Sequence, residues 1–202
     1  MLKELFESCF YSTFPAKSGE VINLREFVYN GDFSLIDPEA CRDCHYVCNP
    51  NLESREQLRV HSTTCIHSIK MDDIFNPISE KLGEMCDFML DDGHKLVLIE
   101  MTCSTKEHVG SKREKCIGQL FNTLTNLRTC GPISQHIDRS SKRETVFSWK
   151  KTVAPVDLED IVEMSMTAMT ELGDDIYSPN NITPFESGFL YREIRYPDAL
   201  VW

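Results

Sequence analysis

Asp87 and Glu100 bracket a stretch that reads as a β-hairpin. Residues 86–90 and 95–101 are two largely apolar runs joined by Asp91-Asp92-Gly93-His94, and Asp-Gly between apolar runs is a strong short-range hairpin signal. A two-residue turn at Asp92-Gly93 pairs Leu90 with Lys95, Phe88 with Val97 and Asp87 with Leu98. Side chains alternate along a strand, so Asp87, Met89, Leu96, Leu98, Glu100 and Thr102 share one face. Glu100 then lies diagonal to Asp87, at about 7–8 Å between backbone positions. Two carboxylates so placed can share one divalent cation with oxygen ligands, and Glu84 is a third candidate just before the first strand. Glu100 follows the apolar run Leu96, Val97, Leu98, Ile99, where an acid is costly unless ligated or paired.

A second set of chemically capable residues precedes the hairpin. Cys44-x3-Cys48-x3-Leu52-x5-Leu58-x2-His61-x3-Cys65 resembles a ββα zinc finger of the CCHC kind. Two thiolates would come from a tight turn, and His61 and Cys65 from successive turns of one helix. Leu52 and Leu58 would supply the small core, with a structural Zn²⁺ contributing the folding free energy such a core lacks. Cys41-x2-Cys44 offers the commoner first spacing, and His67 can stand in for Cys65. At the positions where DNA-reading fingers contact bases stand Ser54, Gln57 and Val60. None is basic, so a structural clip is the favoured role. Cys9, Cys86, Cys103, Cys116 and Cys130 are scattered beside apolar neighbours and read as small core residues.

The elements that must position these groups follow from periodicity. Residues 1–12 read as a short helix, with a turn at Asn30-Gly31 in the mixed stretch that follows. Residues 71–84 read as a helix interrupted at Pro77. Residues 111–129 read as an amphipathic helix with a capping box at Ser111 and Glu114. Its apolar stripe would be Ile117, Leu120, Phe121, Leu124 and Leu127, and Gly131-Pro132 ends it. A strand is expected near 144–149. A second helix is expected from 157 to 172, with Leu158, Ile161, Val162, Met166 and Met169 on one face.

Around that hairpin the residues resemble the PD-(D/E)xK nuclease superfamily. Gly-Glu-Met-Cys-Asp-Phe at 83–88, Val-Leu-Ile-Glu-Met-Thr at 97–102 and Lys-Cys-Ile-Gly-Gln-Leu at 115–120 carry the likeness. The resemblance implies an α/β fold, a small mixed sheet flanked by helices, with the zinc-finger-like segment inserted before the core. It implies Mg²⁺ or Mn²⁺ held by Asp87 and Glu100, with Glu84 auxiliary, and a metal-bound water attacking a phosphodiester. Lys115 and Gln119 would face the site from the following helix, at an i, i+4 spacing that shares one face. The position where the superfamily carries lysine is Thr102 here. Lys106, Lys112 or Lys115 could reach the same space, and Lys115 is the residue that falls at the helix position facing the site.

The chain has 202 residues, 41% hydrophobic and 26% charged, with nine cysteines and a net charge of −11. This is ordinary for a globular protein and excludes a collagen or a long coiled coil. No apolar run approaches the ~20 residues a membrane helix needs, and the first residues lack a secretory pattern. A reducing, cytoplasmic setting is therefore expected, where clustered cysteines bind metal more often than they pair. Charge is uneven. Residues 1–104 hold 9 Lys/Arg and 18 Asp/Glu, 105–151 hold 10 and 4, and 152–202 hold 2 and 10. An acidic chain does not bind nucleic acid through its overall field, but a local basic stretch beside a site can grip phosphates.

The expected organisation is thus an N-terminal segment (1–36), a zinc-finger-like module (37–70), a nuclease-like core (71–155) and a C-terminal helix and tail packed on the core (156–202). The expected function is a divalent-metal-dependent nuclease acting on DNA through residues 105–151, in defence or DNA processing, with a protein partner or second copy completing the grip. The alternatives are a catalytically inactive nuclease fold serving as a zinc-binding interaction subunit, and a zinc-finger adaptor.

Overall fold

The computed structural model describes residues 2–36, 57–104, 109–151, 178 and 180–202. Among the described residues, ten strands form two sheets. They are β1 (Glu26–Asn30), β2 (Phe33–Ile36), β3 (Gln57–His61), β4 (Cys65–Lys70), β5 (Phe88–Asp91), β6 (Lys95–Ser104), β7 (Lys142–Lys151), β8 (Ile182–Pro184), β9 (Leu190–Arg195) and β10 (Ala199–Val201). A seven-stranded mixed sheet has the order β1-β4-β5-β6-β7-β9-β8, and a three-stranded sheet has the order β10-β3-β2. The helices are α1 (Leu2–Leu5), running through a π-helical stretch (Phe6–Phe10) into α2 (Tyr11–Thr13), then α3 (Met71–Phe75), α4 (Val109–Thr129) and α5 (Gly131–Arg139).

Strands β6, β7 and β9 are parallel, and α4 and α5 make the crossover between β6 and β7. Parallel strands covered on both faces read as continuous apolar runs, which is why Leu96, Val97, Leu98 and Ile99 are all fully buried. Met89, Leu96, Leu98 and Phe147 pack with Cys116, Leu120, Leu124 and Leu127 of α4 and with Phe6 and Phe10 of the N-terminal helix. On the opposite face Phe88, Leu90, Val97 and Ile99 pack with Phe33, Leu35, Leu58, Val60 and Leu200 of the smaller sheet. The α/β class and the helix-flanked mixed sheet thus agree with the sequence reading, and the main sheet is larger than expected.

Four expectations are corrected. First, residues 57–61 and 65–70 are strands β3 and β4, not turns of one finger helix. Leu58 and Val60 alternate with polar residues at period two and, with Ile66, enter the core between the sheets, whereas Ile69, three positions on, faces the other core. The module drawn at 37–70 is therefore not separate in its described part, because β4 lies between β1 and β5 in the main sheet. Second, the hairpin register is displaced by two residues: Phe88 pairs with Ile99 and Leu90 with Val97. Asp92 accepts the N–H groups of His94 and Lys95 at 2.8 and 2.7 Å, so the connection spans residues 92–95. A two-residue displacement preserves which side chains share a face. Third, Ser111 lies inside α4 rather than at its cap. Fourth, the apolar stripe is rotated: Cys116, Leu120, Thr123, Leu124 and Leu127 are buried, while Ile117 and Phe121 are 39% and 46% exposed.

Helix α3 ends at Phe75; Asn76 keeps helical geometry and donates its N–H to the Asp72 carbonyl, and Pro77, which has no N–H to donate, stops the helix there. The tail is woven into the fold rather than laid on it: β8 and β9 extend the main sheet, and β10 joins the smaller one. The helix expected at 157–172 lies outside the described residues.

Candidate active site

The site is built where the segment before β5 meets α4. Three α4 side chains grip that segment. Gln119 donates from Nε2 to the Met85 carbonyl at 3.0 Å, Thr123 Oγ1 accepts the Cys86 N–H at 2.8 Å, and Asn126 donates to the Leu82 carbonyl at 3.3 Å. Positions 119, 123 and 126 follow the i, i+4, i+7 pattern of one helix face. Gly83 permits the approach: its φ is +87°, and a Cβ there would stand 2.8 Å from Asn122 Nδ2.

The chain then delivers Asp87. Its N–H bonds the Ile99 carbonyl at 2.9 Å, and its carbonyl accepts the Met71 N–H at 2.8 Å. Its carboxylate Oδ2 accepts the Met101 N–H at 2.6 Å. The side chain therefore lies along β6 beside Glu100, which is 8% exposed, and Thr102, which is 9% exposed. Asp87, Glu100, Met101, Thr102, Lys112, Lys115, Cys116, Gln119 and Phe147 line one cavity of about 220 Å³. Its inner side carries the two carboxylates. Lys112 and Lys115, both exposed, stand at its mouth on α4.

Of the expected site residues, Asp87, Glu100, Lys115 and Gln119 come together in this cavity. Glu84 does not line it. It pairs instead with Lys115, Oε2 to Nζ 2.9 Å, at the surface. Lys112, one of the three lysines expected to reach this space, also lines the cavity, and the 112, 115, 119 spacing places all three on one helix face. Lys106 lies outside the described residues.

The acids set the local electrostatics. Burial pushes the Cys86 and Cys116 thiols well up, and the charges of Glu100 and Asp87 push them further. Burial thus disfavours the thiolate at both positions. Behind the cavity, Glu193 of β9 accepts two hydrogen bonds from Arg113 of α4, at 2.8 and 3.2 Å, and one from Trp149 Nε1 at 2.8 Å. Burial would raise the Glu193 carboxyl, but the bonds from Arg113 and Trp149 outweigh it and hold the group below the ordinary range. Glu100, Phe147 and Glu193 occupy one row across three strands, so this clamp seats the first turns of α4, with Lys112 and Lys115, over the row containing Glu100.

The oxygen donors of Asp87 and Glu100 suit Mg²⁺ or Mn²⁺, which are commonly held by one or two carboxylates, waters and substrate phosphate. Among the described residues no group of three or more His, Cys, Asp or Glu is placed to hold a metal ion.

The zinc ligands expected from the spacing are placed differently. His61 Nδ1 bonds Asp32 at 2.8 Å and His67 Nδ1 bonds Glu26 at 2.7 Å. Glu26 also accepts the N–H groups of Leu2 and Lys3 at the start of α1. Cys65 is an exposed free thiol. Cys41, Cys44 and Cys48 lie outside the described residues. Their segment leaves β2 at Ile36 and returns at Gln57, which pair with each other, whereas His61 sits at the far end of β3. His61 and Cys65 thus stand on strands β3 and β4 rather than on successive turns of one helix.

Among known proteins, the chain matches no family model, no curated sequence and no solved structure. Among the described residues, no helix is long and apolar enough to cross a membrane.

Proposed function

We propose that the chain is a divalent-metal-dependent nuclease that hydrolyses phosphodiester bonds, with DNA the substrate that the superfamily resemblance implies. One observation carries this reading. Two carboxylates from a hairpin and two lysines from the next helix, separate in sequence, line a single small polar cavity. Phosphodiester hydrolysis needs such a division, with anions to hold a metal and cations to meet phosphate.

Asp87 and Glu100 would hold the metal. Mg²⁺ bound there supplies a Lewis acid and a water of lowered pKa. The Met101 N–H fixes the Asp87 carboxylate in orientation. Lys112 and Lys115 would bind the non-bridging phosphate oxygens and offset the charge that grows on them. Lys115 reaches substrate by exchanging Glu84 for phosphate, an inexpensive exchange because exposed ion pairs are worth about 0–1 kcal/mol. Gln119 acts by holding the Met85 carbonyl, and so by positioning Asp87. Thr102, at the wall where the superfamily carries lysine, is the observation that favours the second reading, a catalytically inactive fold serving as an interaction subunit.

The test is cleavage of plasmid and single-stranded oligonucleotide by the purified chain with Mg²⁺ or Mn²⁺, beside Glu100→Ala. Metal-dependent cleavage that vanishes in the variant supports the nuclease. No cleavage, or cleavage indifferent to the substitution, moves the assignment to the inactive fold.

A further inference from the structure

The carboxyl ends of β7 and β9 bring cations and rings together, with Arg195 also paired to Glu193 at 3.3 Å. Arg59 Nη2 lies 3.1 Å from the Tyr196 hydroxyl, and its guanidinium carbon lies 5.1 Å from the Tyr196 ring centre. Lys150 Nζ lies 4.8 Å from the same ring, and Arg195 lies over the Trp149 ring at 5.3 Å. Two cations thus share one half-buried tyrosine. Arg59 comes from the smaller sheet and Lys150 from the larger, 91 positions apart in sequence.

The cluster adjoins the cavity. Thr102, a cavity-lining residue, is paired with Trp149, and Trp149 with Arg195. Lys150 is paired with Cys103, and the Tyr196 N–H bonds the Trp149 carbonyl at 3.0 Å. Neighbouring strands lie about 4.8 Å apart, so Lys150 and Tyr196 stand roughly one and two strand spacings from β6. By strand alternation, Glu100 and Thr102 point to the α4 face of the sheet, and Lys150 points to the other.

We propose that Arg59, Lys150 and Tyr196 bind the continuation of a single nucleic-acid strand whose scissile phosphate lies at Asp87 and Glu100. The proposal rests on the nuclease reading and adds the form of the substrate. Cations that track the backbone are part of the recurrent equipment of single-strand binding, and here Tyr196 holds two of them together. The path makes the choice of form. A ligand touching both the cavity and Lys150 must pass from one face of the main sheet to the other within about two strand spacings. A flexible single strand does so, whereas duplex DNA, stiff over ~150 base pairs, does not.

The experiment is fluorescence anisotropy with a labelled oligo-dT, in the full chain carrying Glu100→Ala so that no cleavage intervenes, titrated over a range of salt. Arg59→Gln with Lys150→Gln is expected to weaken binding and flatten the salt dependence, by ~1.4 in log–log slope for two phosphate contacts on a single strand. Arg59→Lys with Lys150→Arg retains most of the affinity. Duplex of matching length binds more weakly than the single strand. Should the Gln variant fold poorly, photo-crosslinking of the unsubstituted chain to a bromodeoxyuridine oligonucleotide reads the same contact, with the label expected on the peptide containing Tyr196. Unchanged affinity and slope, crosslinks only elsewhere, or preference for duplex each overturn the proposal. Absence of metal-dependent cleavage in the unsubstituted chain counts against the nuclease reading instead, a result the binding data do not depend on.

Discussion

The Met101 backbone N–H donates to Asp87 Oδ2 at 2.6 Å. This bond ties the residue before β5 to the residue after Glu100, so the two carboxylates are held side by side by the backbone of the hairpin itself. Charged hydrogen bonds of this kind are among the stronger ones a protein makes. Holding like charges together in this way is what the proposed metal site requires of the fold.

Glu100→Gln should therefore abolish cleavage and at the same time stabilise the metal-free chain, because it removes one of two adjacent acids at an 8% exposed position. Such opposition between activity and stability marks functional sites. Thermal unfolding measured with and without Mn²⁺ checks it: the unsubstituted chain gains melting temperature with metal, and the variant starts higher and gains little. A variant less stable than the parent without metal would contradict this account.

Lys115→Ala and Glu84→Ala should behave unequally although the two side chains are partners. The pair is exposed, so neither substitution should move stability by more than ~0.5 kcal/mol. Cleavage should fall roughly 10- to 100-fold in Lys115→Ala, the order expected for loss of one phosphate-binding charge near the reacting group, and change little in Glu84→Ala. Rates at saturating Mg²⁺, compared with urea midpoints, separate the two effects. Equal losses of activity would restore Glu84 as a metal ligand.

Thr123→Val leaves the buried Cys86 N–H without its acceptor at 2.8 Å, and an orphaned buried donor costs about 1–3 kcal/mol. Gly83→Ala should add a loss of about 1–2 kcal/mol from its left-handed backbone, besides the contact with Asn122. Both act on the segment that delivers Asp87, so cleavage should drop in each while Leu82→Ala, on the same segment but half-buried, loses less. Denaturant midpoints paired with initial cleavage rates would show it.

Glu193 should impose a pH dependence on stability. Its folded-state pKa is lowered by Arg113 and Trp149 against the opposing effect of burial. A carboxyl with a depressed folded value contributes stability that is fully present above its unfolded pKa and lost as pH falls through the folded value. The stability gap between the parent and Glu193→Gln should be constant near neutrality. It should shrink as pH falls below the ordinary glutamate range. Melting temperatures of the two chains between pH 7 and pH 3 test this, and a gap that widens on acidification would reverse the assignment.

Much of this arrangement is legible in local pattern. Apolar alternation and Asp92-Gly93 announce the hairpin, the run from Leu96 to Ile99 announces a central strand, and the spacing of Lys115 and Gln119 announces a shared helix face, which the superfamily resemblance turns toward Asp87 and Glu100. Where local pattern misled, long-range burial decided. His61 and Cys65 have the spacing of helical zinc ligands, but Leu58, Val60, Ile66 and Ile69 needed two apolar cores and became strands. Ile117 and Phe121 fit a helical stripe as well as Cys116 and Thr123 do. The segment at 82–86, which needs acceptors and donors from Gln119, Thr123 and Asn126, set the rotation of α4.

The sequence by itself determined the hairpin strands and the long helix after them, the face shared by Asp87 and Glu100, and the cations that follow them, because these depend on periodicities of two and 3.6 residues and on turn chemistry within a few positions. Only the tertiary structure decided the register that sets Asp87 against Met101, the diversion of Glu84 to Lys115, the arrival of Lys112 at the cavity, and the meeting of Arg59 with Lys150 across Tyr196. Those relations join residues tens of positions apart, and no local preference distinguishes among the partners that packing finally selects.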